Sequence, residues 1–162
     1  METPGGTPAP VTFVDPGRPV ACVPILRAGL ALLEQAATVL PAHTTHHFGV
    51  ARDETTLLPR VYYDGLPAAF APGQRVLITD PMIATGGSLC TALDAVLARG
   101  AALQDVRVVG VLAAPPALKR LSEGYPGLRV YVACIDEKLD ERGRIVPGLG
   151  DAGDRAFGTA KQ

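Results

Sequence analysis

With 162 residues and a formal net charge of −1, the chain is sized for one domain that buries about two-thirds of its unfolded surface around a single core. Its Arg and Lys residues are scattered and form no basic face to track a phosphate backbone, which argues against nucleic acid and for a small-molecule substrate. Met1–Pro10 lacks the basic start and apolar stretch of a signal peptide, and the longest apolar region, Val20–Leu40, is broken by Arg27 and Glu34, so neither secretion nor a membrane span is expected and a cytoplasmic location is.

In chain order, a leader and first strand region over 1–19 precedes a single domain expected over 20–162. Val20–Leu26 is a short continuous apolar run, and from Gly29 to Leu40 apolar residues recur at helical spacing, which reads as a buried strand feeding a helix. Thr45–Leu66 differs: His46, Phe48 and Val50 alternate before a polar turn at Arg52–Thr56 and a second run at Val61–Tyr63, the pattern of a β-arm projecting beside the sheet. Val76–Thr79 then precedes a Gly-rich turn and the amphipathic stretch Ser88–Ala98, which Gly100 ends as a helix C-cap would. Two β-branched runs, Val106–Leu112 and Val130–Ile135, flank a helical segment at about Ala117–Glu123. Apolar strands alternating with helices imply an α/β fold with a parallel sheet covered on both faces.

Several residues take plain structural readings. Cys22, Cys90 and Cys134 lie far apart without metal spacing and read as reduced core residues. His43, His46 and His47 read as exposed arm residues rather than metal ligands, because neighbours on a strand point to opposite faces. Tyr62 and Tyr63 read as arm packing, and Asp136 and Glu137 as structural.

The segment Thr79–Ser88 (TDPMIATGGS) sits between a strand and a helix, where backbone N–H groups and the helix dipole make an anion site. Gly86 and Gly87 allow a phosphate to approach the backbone, and Thr85 and Ser88 add hydroxyls; no Lys follows, so it is not a Walker A loop. Asp80 stands at the carboxyl end of the strand, where open α/β sheets bind ligands, and its carboxylate suits ribose hydroxyls. This segment resembles the 5-phosphoribosyl 1-diphosphate (PRPP) loop of the type I phosphoribosyltransferases, and Asp80-Pro81-Met82-Ile83-Ala84-Thr85-Gly86-Gly87-Ser88 is similar specifically to that of the uracil phosphoribosyltransferases. The resemblance implies that these nine residues bind PRPP.

Two further segments carry the same resemblance. Val23–Leu30 (VPILRAGL) is similar to the family's diphosphate loop, which implies that Arg27 contacts diphosphate and Gly29 permits a tight turn beneath it. Arg52–Thr55 (RDET) resembles the family's arm motif and marks Arg52 as a second diphosphate ligand, with Thr55 in place of a usual Glu and Ala51 in place of a common Tyr.

Near the C-terminus, Gly148–Gly153 (GLGDAG) satisfies the dinucleotide fingerprint letter by letter, yet no βαβ unit has room to follow it. Arg144–Thr159 instead resembles the family's uracil-binding hood, which implies that Ile145 and Gly150-Asp151-Ala152 line uracil and that Asp151 also faces PRPP. In that family main-chain groups read the base edge, and fixed N–H and C=O groups cannot exchange roles to suit cytosine.

The resemblance implies a pentosyltransferase of pyrimidine salvage that joins uracil to PRPP, giving UMP and diphosphate. Mg²⁺ arrives with the diphosphate, no side chain serves as an acid or base, GTP is a candidate effector, and a homodimer or higher homo-oligomer is expected. The sequence begins after the family's usual N-terminal helical arm, which would weaken such assembly. The alternative reading is a non-catalytic relative that senses a nucleotide or phosphoribosyl ligand.

Overall fold

A computed structural model describes residues 4–8, 15–34, 36–40, 42–53 and 58–159. The arm's Glu54, Thr55 and Thr56, residues 1–3 and 9–14 of the leader, and the side chain of Arg52 lie outside the described residues.

Seven strands form the main sheet, in the order β4-β3-β1-β5-β7-β9 with β2 also paired to β1. These are β1 (Val20–Leu26), β2 (His43–Thr45), β3 (Phe48–Arg52), β4 (Pro59–Asp64), β5 (Val76–Thr79), β7 (Val106–Val109) and β9 (Arg129–Tyr131). All pairings are parallel except β3 with β4. Strand β1 is buried from Val20 to Ile25, as a central parallel strand covered on both faces must be, and hence its unbroken apolar sequence. Helix α2 (Gly87–Ala98) buries Leu89, Ala92, Leu93 and Val96, the i, i+3, i+4, i+7 stripe that one helical face presents to a core. Helix α3 (Pro115–Gly124) packs through Ala117 and Leu121 and starts on two prolines, whose missing N–H groups a first helical turn does not need.

Four expectations change. The helix expected over Gly29–Leu40 divides into a 3-10 turn at Ala28–Leu32 and a short helix α1 at Ala36–Val39. The reason is competition for an acceptor: the Thr79 hydroxyl donates to the Gly29 carbonyl, the acceptor that Leu33 N–H would use in an α-helix, and Leu33 turns to Leu30 instead.

The runs Val106–Leu112 and Val130–Ile135 each step from the main sheet to a second one, in which β6 (Met82–Ile83), β8 (Leu112–Ala113) and β10 (Cys134–Ile135) pair in parallel in the order β10-β8-β6. Gly110 marks the step, for a Cβ there would meet the Asp80 carbonyl, and Val111 and Leu112 N–H both turn to the Pro81 carbonyl. Because β10 lies at an edge, Cys134 is exposed, not a core residue; Cys22 is buried and Cys90 intermediate.

The arm is rooted in the sheet, with Ile25 and Leu26 paired to Phe48 and Gly49. His43 lies in β2 and His46 and His47 connect β2 to β3, so the histidines precede the arm. His43 Nδ1 lies 2.8 Å from the Leu40 carbonyl, and no His/Cys/Asp/Glu cluster among the described residues could hold a metal ion. The C-terminal hood has regular structure of its own. It contains an antiparallel hairpin, β11 (Lys138–Leu139) with β12 (Ile145–Val146), and a short helix α4 (Ala152–Phe157). Among the described residues no helix is long and apolar enough to cross a membrane.

Candidate active site

Strands β1 and β5 are parallel neighbours, with Pro24 opposite Thr79, while β3 lies beyond β1 on one side and β7 beyond β5 on the other. Chain connections therefore leave in opposite directions and open a crevice above the carboxyl ends of these two strands. The first residues past those ends are Arg27 and Asp80. The Leu26–Arg27 peptide is cis. Gly29 sits so close beneath that a Cβ would collide with the Thr79 carbonyl oxygen, and the 2.9 Å bond from Thr79 Oγ1 to the Gly29 carbonyl ties the two loops together.

After Asp80 the chain passes through β6 and enters α2 at Gly86, whose φ of +79° puts it in the left-handed region that glycine adopts without strain. Gly87 N–H points to Thr85 Oγ1 at 3.5 Å, and Cys90 N–H makes a first helical bond to the Gly86 carbonyl. A small cavity is enclosed by Asp80 and the run Met82–Leu89, over the helix N-terminus where N–H groups lack helical acceptors. Pro81 is buried and its carbonyl is held by Val111 and Leu112. Asp80 accepts only a long bond from Met82 N–H, at 3.4 Å. Burial pushes its carboxyl up to about 7, partly opposed by that bond, because low-dielectric surroundings disfavour the charged form.

Two larger cavities adjoin this loop. One of about 490 Å³ is lined by Arg27, Asp80, Ser88, Tyr62, Val50 and Asp151 among others. The second, about 540 Å³, lies under the C-terminal segment and is lined by Arg144, Ile145, Val146, Gly150, Asp151 and Ala152 among others. Both fall in the size range of small-molecule sites. Ala28, Met82, Asp151 and Gly153 line both, so the cavities share a wall.

The hood above is held by specific bonds. Asp136 Oδ2 accepts from Gly148 N–H at 2.9 Å. Asp140, at the turn of the β11–β12 hairpin, accepts from Arg142 and Arg144 N–H, bonds that lower its carboxyl below the usual range. Asp151 caps α4 by accepting from Asp154 N–H at 2.9 Å.

The family model for uracil phosphoribosyltransferase matches residues 1–159. The chain belongs to the uracil phosphoribosyltransferase family. It is 52% identical to the Nicotiana tabacum uracil phosphoribosyltransferase over 159 residues, covering 98% of this chain and 70% of that protein. It is 55% identical to the chloroplastic uracil phosphoribosyltransferase of Arabidopsis thaliana over 152 residues, covering 94% of this chain but 51% of that protein, about half its length. A solved structure of an Aquifex aeolicus protein superposes with a TM-score of 0.83 at 39% identity, over 93% of this chain and 70% of that one. The fold is the mostly parallel, helix-flanked α/β sheet of the type I phosphoribosyltransferases.

For a uracil phosphoribosyltransferase family member, the structure gathers Arg27, Asp80, Met82, Ile83, Ala84, Thr85, Gly86, Gly87, Ser88, Ile145, Gly150, Asp151 and Ala152 around three contiguous cavities. Pro81 lines none of them and Arg52 closes β3 with its side chain outside the described residues. Three residues that the sequence reading did not assign to the site also line it: Ala28 and Gly153 on the shared wall, and Tyr62, read as arm packing, whose ring crosses the face of Gly49. Register was the missing signal for Tyr62, since the irregularity at Gly49/Val50 decides which arm face meets the cavity.

Proposed function

We propose that the chain transfers the phosphoribosyl group of PRPP to uracil, giving UMP and diphosphate in pyrimidine salvage. The observation that carries this reading is the shared wall: a cavity under the hood with room for a base adjoins a polar cavity over the phosphate loop, with Asp151 lining both. The loop from Asp80 to Ser88 holds the sugar 5-phosphate at the helix N-terminus, and the Asp80 carboxylate accepts from ribose hydroxyls. Arg27 and Arg52 meet the diphosphate. Ile145 and Gly150–Ala152 present the uracil edge.

Displacement of diphosphate at the ribose C1 builds negative charge on the leaving group and positive charge on the sugar. The arginines stabilise the former by charge-assisted hydrogen bonds of about 1.5–3 kcal/mol each. Uracil N1–H is weakly acidic, so with the base held by its far edge against C1, N1 bonds to C1 as the C1–O bond to diphosphate breaks, and the N1 proton passes to the departing diphosphate or to water without a side-chain base. Asp80 and Asp151, carboxylates on that cavity, suit a cation-bearing donor, and Mg²⁺ carried by the diphosphate would supply further charge neutralisation there.

No observation on the site favours the ligand-sensing alternative. The same reading extends to a cytoplasmic homo-oligomer with GTP as a candidate effector. Support for assembly is the outer arm strand, exposed from Pro59 to Asp64, and sedimentation with and without GTP tests both points. The deciding assay incubates the chain with Mg²⁺, PRPP and a panel of free bases. Uracil alone should give nucleotide, because a mismatched edge leaves fixed polar groups unpaired and is rejected by up to about four orders of magnitude. Comparable product from cytosine, adenine or hypoxanthine would overturn the assignment.

A further inference from the structure

The two halves of the site are joined by one side chain that neither half has yet been given. Arg27 Nη2 donates to Asp154 Oδ1 at 2.9 Å, and Arg27 Nη1 reaches Thr159 Oγ1 at 3.4 Å. Thr159 in turn donates to the same Asp154 oxygen at 2.6 Å, and its N–H bonds the Asp154 carbonyl. Through its own N–H, Asp154 is held by the Asp151 cap. The helix carrying Asp154 is seated directly on the Arg27 loop, since a Cβ on Gly153 would stand 3.8 Å from both Ala28 Cβ and Arg27 Nη2.

We propose that Asp154, assisted by Thr159, is a positioning residue that aims Arg27 at the diphosphate and thereby locks the hood to the donor loop. This rests on the reading of Arg27 given above. The ion pair is not there for stability: the Arg27 side chain is 55% exposed and that of Asp154 20%, and partly exposed pairs contribute little to folding. Orientation is what the geometry supplies. A guanidinium carries five donors in a rigid fork; fixing two of its nitrogens from the α4 side restrains the remaining N–H groups on the side of the cavity that Arg27 lines. An exposed arginine without that restraint loses rotamer freedom on binding an anion, which weakens the interaction.

The test is calorimetric titration of the full chain with magnesium diphosphate, together with steady-state KM values for PRPP and uracil. Asp154→Asn keeps the side-chain shape and the backbone bond to Asp151 but removes the charge. It should weaken diphosphate binding and raise the PRPP KM about tenfold, about 1.4 kcal/mol, with the uracil KM within about twofold and the thermal midpoint unchanged. Thr159→Val should shift the PRPP KM in the same direction by a smaller factor, and Thr159→Ser, which retains the hydroxyl, should restore it. Unchanged or tighter diphosphate binding in Asp154→Asn overturns the proposal, as does an equal loss for both substrates accompanied by a lowered midpoint. Wild-type chain that binds diphosphate yet forms no UMP would sink the transferase reading alone, and the titration comparison would still decide the role of Asp154.

Discussion

Asp80→Asn separates what this carboxylate does for folding from what it does for the donor. The replacement is nearly isosteric and keeps an oxygen for the weak 3.4 Å bond from Met82 N–H. Burial raises the wild-type carboxyl from 3.8 to about 7, and each pKa unit corresponds to about 1.4 kcal/mol between protonation states. A folded-state value above the unfolded one means that the stability contributed by the protonated form is complete below about pH 4. It is lost as pH rises to about 7, where the enclosed carboxyl ionises. Asn carries no such penalty, so Asp80→Asn should gain on wild type as pH climbs from 4 to 8, by on the order of 1–4 kcal/mol, short of the full shift because the half-buried carboxyl borders the open cavity.

Donor binding should move the other way. Losing a charged acceptor for ribose hydroxyls removes about 1.5–3 kcal/mol per bond, so PRPP affinity at pH 8 should fall about tenfold to a hundredfold. Wild-type affinity should also weaken about tenfold from pH 8 to pH 6 as Asp80 takes up its proton, beyond any change shown by Asp80→Asn, which has no titrating group at that position. Urea unfolding at stepped pH and calorimetric titration with PRPP supply the two measurements. Equal stability profiles for the two proteins, or unchanged PRPP affinity in the variant, would refute the reasoning.

Gly29→Ala should lower stability by about 1–3 kcal/mol, the usual effect of overpacking, because its methyl would collide with the Thr79 carbonyl; the denaturant midpoint measures it, and PRPP binding should fall with it as the two loops separate. Leu93→Ala, at a fully buried α2 position, should cost about 2–5 kcal/mol in the same unfolding experiment without altering the PRPP KM of the remaining folded protein. A maleimide should label Cys134, which is exposed, in the native protein, whereas Cys22, buried and with its thiol pKa raised by that burial, should label only on unfolding; peptide mapping distinguishes them.

Local sequence determined a good deal of this protein. Val76–Thr79 is the strand expected, and Ser88–Ala98 is the helix expected with one residue added at its start, because burial periodicity and the Gly100 stop act within a few residues of chain. The chemistry of the loops was equally legible: Gly86 needs its positive φ wherever the chain turns into α2, and an acid at the end of a central strand is a local fact.

Tertiary structure decided whatever depended on competition or on register. Whether Gly29 begins an α-helix depends on a hydroxyl 50 residues away claiming its carbonyl. Whether Val106–Leu112 is one strand or two depends on Pro81 offering a second acceptor, and an apolar run reads the same in either sheet. The placing of Tyr62 on the cavity depends on an irregularity in the β3–β4 register. Above all, the pairing of Arg27 with Asp154 spans 127 residues and arises only when a six-residue helix docks on the loop after β1. No spacing in the sequence encodes that contact, because a hydrogen bond between distant segments is set by where the packed core brings their backbones.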